Sequence, residues 1–216
     1  GHNATPEGNP TYEAEGKLGT AVHFDGEKQF LETPATFRFN PDDELTLEAW
    51  VNPSGVLSGY RTIIQKEGLV SPAVNDAYYL HASNPSNLPN LGQSIGGVTT
   101  SLAGGSAPTP GTWTHLAATY NGSNQLLYIN GAQVASRAQT GTMDATPYPL
   151  SIGGNSLWGE YFTGLIDEVR VYNRALSAAE IATDMNTPIG ASAPPAAPSA
   201  KTESARSLRS KKFRGS

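Results

Sequence analysis

Gly111-Thr112-Trp113-Thr114-His115-Leu116-Ala117-Ala118-Thr119-Tyr120-Asn121-Gly122-Ser123-Asn124-Gln125-Leu126-Leu127-Tyr128-Ile129-Asn130-Gly131-Ala132-Gln133-Val134-Ala135-Ser136 carries the clearest structural signal in the chain. Leu116, Ala118 and Tyr120 fall on one side of a period-two pattern, Trp113 and His115 on the other, which predicts a strand over 112–120. Asn121-Gly122-Ser123 favours positive φ and turns the chain. A second strand follows at Leu126–Asn130. Asn130-Gly131 is another such turn, leading into a third strand at Ala132–Ser136. Strands joined this tightly are antiparallel.

The same pattern extends in both directions. Leu45, Leu47, Ala49 and Val51 alternate with Thr46, Glu48 and Trp50. Further strands are predicted at Ala21–Asp25, Phe30–Thr33, Thr62–Lys66, Ala77–Ala82, Ser94–Thr99, Leu150–Gly153 and Gly164–Tyr172. About a dozen short strands separated by Gly, Pro and Asn turns indicate a sandwich or jelly roll. One helix is expected. Ser177-Ala178-Ala179-Glu180 is a capping box, the helix should run to about Met185 on the sandwich edge, and Pro188 stops it.

Composition agrees with one folded unit. The chain has 216 residues, 38% hydrophobic, with no Cys. A chain of that size buries roughly 70% of its unfolded surface without disulfides, and no run approaches the ~18 apolar residues of a membrane span. No signal peptide is visible. Residues 189–216 form a separate region: Ile189–Ala200 is a Pro/Ala/Ser linker, and 201–216 a basic tail expected to be disordered. Residues 1–188 are the domain. The formal charge of -5 is therefore a sum of unlike parts. Six basic residues against Glu203 give the tail +5, and the other 8 basic and 18 acidic residues give the rest -10.

Five segments, in order, carry a resemblance: Gly16–Gly26, Leu45–Val51, Gly111–Gly122, Tyr128–Gly131, and Gly164-Leu165-Ile166-Asp167-Glu168-Val169-Arg170-Val171-Tyr172-Asn173-Arg174-Ala175-Leu176-Ser177. Together they resemble the laminin G-like, concanavalin A-type domains of bacterial secreted and surface proteins. The resemblance implies an all-β, two-sheet antiparallel jelly-roll sandwich with one short C-terminal helix. It also implies an extracellular setting and other domains in a larger parent protein. It implies no single activity, so function is read from the site.

A structural Ca²⁺ is the first expectation. Domains of this type often tie N-terminal turns to the last long strand through such an ion, which takes six to eight oxygens. The matching positions are Asp167 and Asp25. Asp167 falls in register with Leu165, Val169 and Val171, and a carboxylate on an apolar face needs a cation or hydrogen-bond partners. The competing reading has Asp25 capping its own turn and Asp167 meeting Arg170 or Arg174.

Sugar binding is the second expectation. Sugar C–H faces stack on aromatic rings, while hydroxyls need polar partners. Trp158 and Tyr161 lie in the Gly-flanked loop Gly153–Tyr161, where binding residues concentrate on a rigid sandwich. Asn155 and Glu160 would take hydroxyls, with Tyr60 and His81 as supporting candidates. The competing reading folds Trp158 onto the sheet edge as a plug. Tyr78 and Tyr79 point to opposite faces, so at least one belongs to the core. Trp50 and Trp113 read as packing residues. The insertion Asn84–Pro110 reads equally as the wall of a cleft and as decoration.

Catalysis is not expected. No two acids alternate on one strand as a glycosidase pair ~5 Å apart would require. The four His show no metal spacing, and no Gly-x-Ser-x-Gly elbow is present. A body netting -10 repels phosphate, so no nucleic-acid partner is expected. The sequence therefore reads as a monomeric, non-catalytic, carbohydrate-binding domain. A protein-binding or spacer module is the alternative, with a flat surface and a buried Trp158.

Overall fold

The computed structural model describes residues 4–190 apart from residues 35, 38, 42, 71 and 72. The basic tail and most of the linker, 191–216, lie outside the described residues. In chain order the elements are β1 (Thr5–Glu7), β2 (Thr11–Glu13), β3 (Ala21–Asp25), β4 (Phe30–Glu32), β5 (Leu45–Pro53), β6 (Arg61–Val70), β7 (Ala73–Ser83), β8 (Asn90–Ile95), β9 (Val98–Ala103), β10 (Thr114–Tyr120), β11 (Asn124–Ile129), β12 (Ala132–Ala138), β13 (Leu150–Ile152), β14 (Thr163–Tyr172) and α1 (Ala178–Asp184). They make two antiparallel seven-stranded sheets. The first runs β1-β4-β13-β6-β7-β8-β9 and the second β12-β11-β10-β5-β14-β3-β2. The all-β sandwich expected from the alternation is the observed architecture.

The inward faces form one core. Leu45, Leu47, Ala49 and Val51 of β5 and Leu116, Ala118 and Tyr120 of β10 meet Ile64, Tyr78, Leu80 and Leu91 of the first sheet. Each fully buried Leu or Val side chain contributes about 1.5–3 kcal/mol. Lys66 is also buried, and its Nζ donates to the Tyr148 carbonyl at 2.5 Å. The Asn130-Gly131 turn has the two successive positive φ values of a type I′ hairpin, 50° and 79°.

Three expectations are corrected. The segment predicted as one strand at Ser94–Thr99 is the tip of a hairpin: β8 and β9 pair on either side of Gly96-Gly97, both with positive φ. The middle of the insertion is thus part of the sheet. The helix has the expected capping box, with Ser177 and Glu180 bonded reciprocally. It covers the outer face of the second sheet rather than its edge, packing Leu176 and Ile181 on Ala117 and Tyr128. This is why β5 is buried on both sides. The third correction concerns β14. Its register on β5 shifts between Asp167 and Arg170, with Glu168 at φ 53°. The bulge switches the inward phase: Ile166 is core before it, Val169 and Val171 after it. Asp167 therefore does not share a face with Val169 and Val171. Ile189, placed in the linker by the sequence, donates its N–H to Glu168 at 2.7 Å, so the fold holds the chain at least that far.

Candidate functional site

Tyr79 and His81 lie two residues apart on β7 and so share the outer face of the first sheet. Their rings stack at 4.2 Å between centroids, 9° from parallel. Tyr60 closes edge-on against His81 at 5.5 Å. Gly92 on the neighbouring strand β8 permits this arrangement, because a Cβ there would fall 2.0–2.4 Å from the Tyr79 ring.

The loop 153–162 forms the opposite wall. Gly153 N–H donates to Ile63 O, Phe162 N–H to Gly153 O, and Thr62 N–H to Glu160 O, which ties both loop ends to β6. Gly153 is at φ 83°, with the Phe24 ring where a side chain would start. Asn155 organises the interior of the loop. Its Oδ1 accepts from the Trp158 N–H at 2.6 Å, and its Nδ2 donates to Gln65 Oε1 at 3.1 Å. Trp158 is left 49% exposed, lining the same cleft as the Asp76 carboxyl.

Together Tyr60, Asp76, Tyr79, His81, Thr99, Trp158 and Glu160 line a cleft of about 290 Å³. Burial, and then the Asp76 charge, raise the Glu160 carboxyl to about 7, against the hydrogen bonds from Asn155 and Thr62. Burial raises Asp76 as well, opposed by bonds from Gln65 and Trp158. Burial pushes the His81 ring down to about 3, so it is neutral. Its Nε2 lies 3.6 Å from Glu160, but without a charge this is no ion pair. At 3.3 Å from Gln65 Oε1, Nε2 is the donor, which leaves Nδ1 without a partner.

Of the sequence-selected residues, Trp158, Glu160, Tyr60 and His81 converge on this cleft. Two do not contact it. Asn155 is 0% exposed with its amide fully engaged, so it shapes the loop and offers nothing to a hydroxyl. The Tyr161 ring turns away, packing at 6.4 Å from Phe30 and against Gly154. Asp76, Tyr79 and Thr99 complete the cleft. Among these, only Tyr79 drew attention in the sequence, by its adjacency to Tyr78, which is indeed core.

Three other openings among the described residues lack this chemistry. The opening of about 390 Å³ beside the helix contains Tyr172, whose hydroxyl is already bonded to Asp184 at 2.8 Å. Those of about 380 and 280 Å³ are lined by no Phe, Tyr or Trp.

The two expected calcium ligands do not converge. Asp25 pairs with Thr163 and Asp167 with Trp50, four strand residues apart, or about 13 Å. Asp25 Oδ1 accepts from the Glu27 N–H at 2.9 Å, capping its own turn. Among the described residues, no group of three or more His, Cys, Asp or Glu side chains could hold an ion. An ion bridging Asp25 and Asp167 does not fit. Asp167 alone does border a small cradle. Its Oδ2 and the Gly19 carbonyl stand 2.7 and 2.8 Å from where a Gly16 Cβ would be, and Oδ2 accepts from Leu18 N–H.

The fold and this loop-walled cleft define a concanavalin A-like domain. The chain belongs to the laminin G-like family of the Concanavalin A-like lectin/glucanases superfamily, whose profile matches residues 25–182. Mouse Pappalysin-1 is 30% identical over 195 residues, and human Pappalysin-1 27% over 184. Both alignments cover 77% of this chain but only 11% of the relative. Among solved structures, domain 4 of AbnA, a GH43 extracellular arabinanase from Geobacillus stearothermophilus in complex with arabinotriose, superposes with a TM-score of 0.65. It is 22% identical and covers 82% of each chain. The binding domain of Paraclostridial Mosquitocidal Protein 1 follows with a TM-score of 0.64 and 13% identity, over 86% of this chain and 47% of that one. At these identities the likeness is one of fold. No helix of the described residues is long and apolar enough to cross a membrane.

Proposed function

We propose that this domain is a non-catalytic carbohydrate-binding module of a secreted or cell-surface protein, and that a glycan binds in the cleft between Trp158 and the Tyr60–His81–Tyr79 ladder. The observation that carries the reading is a half-exposed Trp that lines one cleft together with a stacked Tyr–His pair and two carboxyl groups. Trp158 and Tyr60 offer faces to sugar C–H groups, and Glu160 and Asp76 offer acceptors to hydroxyls. The arabinotriose complex of a domain of this fold supports a sugar as occupant. A spacer module would instead present Trp158 buried and no cleft.

A glycan array with the wild type and Trp158→Ala tests the reading. Binding by the wild type, reduced at least tenfold in the variant with an unchanged melting temperature, is the expected result. Absence of binding by the wild type favours the protein-binding or spacer alternative. Release of reducing sugar from a bound glycan would make the domain an enzyme, with Asp76 and Glu160 as the acids to mutate.

For calcium, we propose Asp167 as the one carboxylate ligand, with backbone carbonyls of the 16–19 turn. Thermal melts with and without EDTA decide this. A bound ion at 100 times its Kd adds about 2.7 kcal/mol, and an unchanged melt removes the ion.

A further inference from the structure

We infer that the glycan recognised by this cleft carries a free amine: an amino sugar in its unacetylated, protonated form. This rests on the carbohydrate-binding reading and narrows it to a ligand class.

Asp76 and Glu160 both line the cleft, and no Lys or Arg does. His81, 2% exposed, forms part of the lining with its Nδ1 unpartnered. Its ring is neutral, so it adds no positive charge. Arg61, at the start of β6, donates to the Tyr60 carbonyl and has the smallest of the influences on Glu160. Glu67 on β6 and Glu32 on β4 extend the acidic strip along the sheet; burial first, and then the Asp76 and Glu32 charges, raise the Glu67 carboxyl. Tyr79 contributes a phenol held neutral by burial. The titratable groups that line the cleft are thus acidic or neutral, and Arg61 lies outside that lining.

An ammonium group suits such a site in two ways. It neutralises carboxylates that burial and mutual repulsion leave poorly compensated, and it is attracted to the faces of Trp158 and Tyr60. An N-acetyl group removes the charge. A uronic or sulfated sugar would bring like charge against Asp76.

The test is calorimetric titration of the full chain at pH 7 with a glucosamine trimer, its N-acetylated counterpart and a neutral glucose trimer. The amine trimer should bind at least tenfold more tightly than either. That ratio should shrink as salt is raised from 50 to 500 mM, because an ionic contact open to solvent is screened. Asp76→Asn and the isosteric Glu160→Gln should each lower the ratio at least fivefold. If one variant fails to fold, the other and the salt series still decide. Equal or tighter binding of an uncharged trimer, or binding of it only with added calcium, overturns the amine inference and leaves the carbohydrate reading standing. Binding of no sugar, basic, neutral or acidic, overturns both.

Discussion

Asn155 shows how one buried side chain sets the position of another that meets solvent. Its Oδ1 holds the Trp158 amide while its Nδ2 reaches Gln65 on β6. Removing it leaves the Trp158 amide short of a partner, while Gln65 Oε1 keeps its bonds from Thr62 and His81; an unmet buried donor costs about 1–3 kcal/mol. Asn155→Ala should therefore lower stability by that amount in urea unfolding and weaken glycan binding without touching the ligand. A variant of normal stability and unchanged affinity would contradict this role. At this scale the sequence showed which loop to watch but not what each residue in it does. Trp158 and Glu160 were legible because a Gly-flanked aromatic loop has little core to join. Asn155 and Tyr161 were misplaced because burial within a loop depends on β6 and Phe30, far away in the chain. Asp76 was invisible, since only the pairing of β6 with β7 brings it opposite Glu160.

The element most altered by tertiary context is β5. Its outward residues Glu48 and Trp50 lie beneath α1, and Glu48 is 0% exposed. The Arg170 guanidinium lies 3.7 Å from Glu48, but it already serves Glu168 and the carbonyls of Asp184 and Thr187. Burial first, and then the Asp184 charge, push the Glu48 carboxyl up to about 8. Folded Glu48 thus holds its proton more tightly than the unfolded residue near 4.5. Stability from this group is full below about pH 4.5 and is lost as pH rises towards 8. Glu48→Gln cannot ionise, so its unfolding free energy should fall less between pH 5 and 8 than that of the wild type. Denaturant melts across that range measure the difference, and parallel curves would show that Glu48 does not titrate there. Strand alternation predicted the two faces of β5. It could not predict that a helix 130 residues later would cover the polar one, nor that a bulge at Glu168 would reverse the phase of β14.

For the molecule as a whole, the -10 of residues 1–200 and the +5 of residues 201–216 belong to different parts of the chain. The last described contact is that of Ile189 with Glu168. Truncation after Gly190 should leave the melting temperature and glycan affinity unchanged while increasing retention on an anion exchanger. A lowered melting temperature would place part of 191–216 in the fold. The sandwich itself was legible because period-two alternation and Asn-Gly turns are local signals. The order of strands in each sheet was not, because β1, β13 and β14 pair with partners distant in sequence.

That strand order also fixes how the domain can be tethered. β1 forms the far edge of the first sheet, four strand positions from β7, or about 19 Å at the usual strand spacing. The described chain leaves at Ile189 beside β14, in the opposite sheet. The cleft itself is lined from the first sheet and the loop 153–162. A fluorescent protein fused after Gly190 should therefore emerge beside the sheet that does not line the cleft.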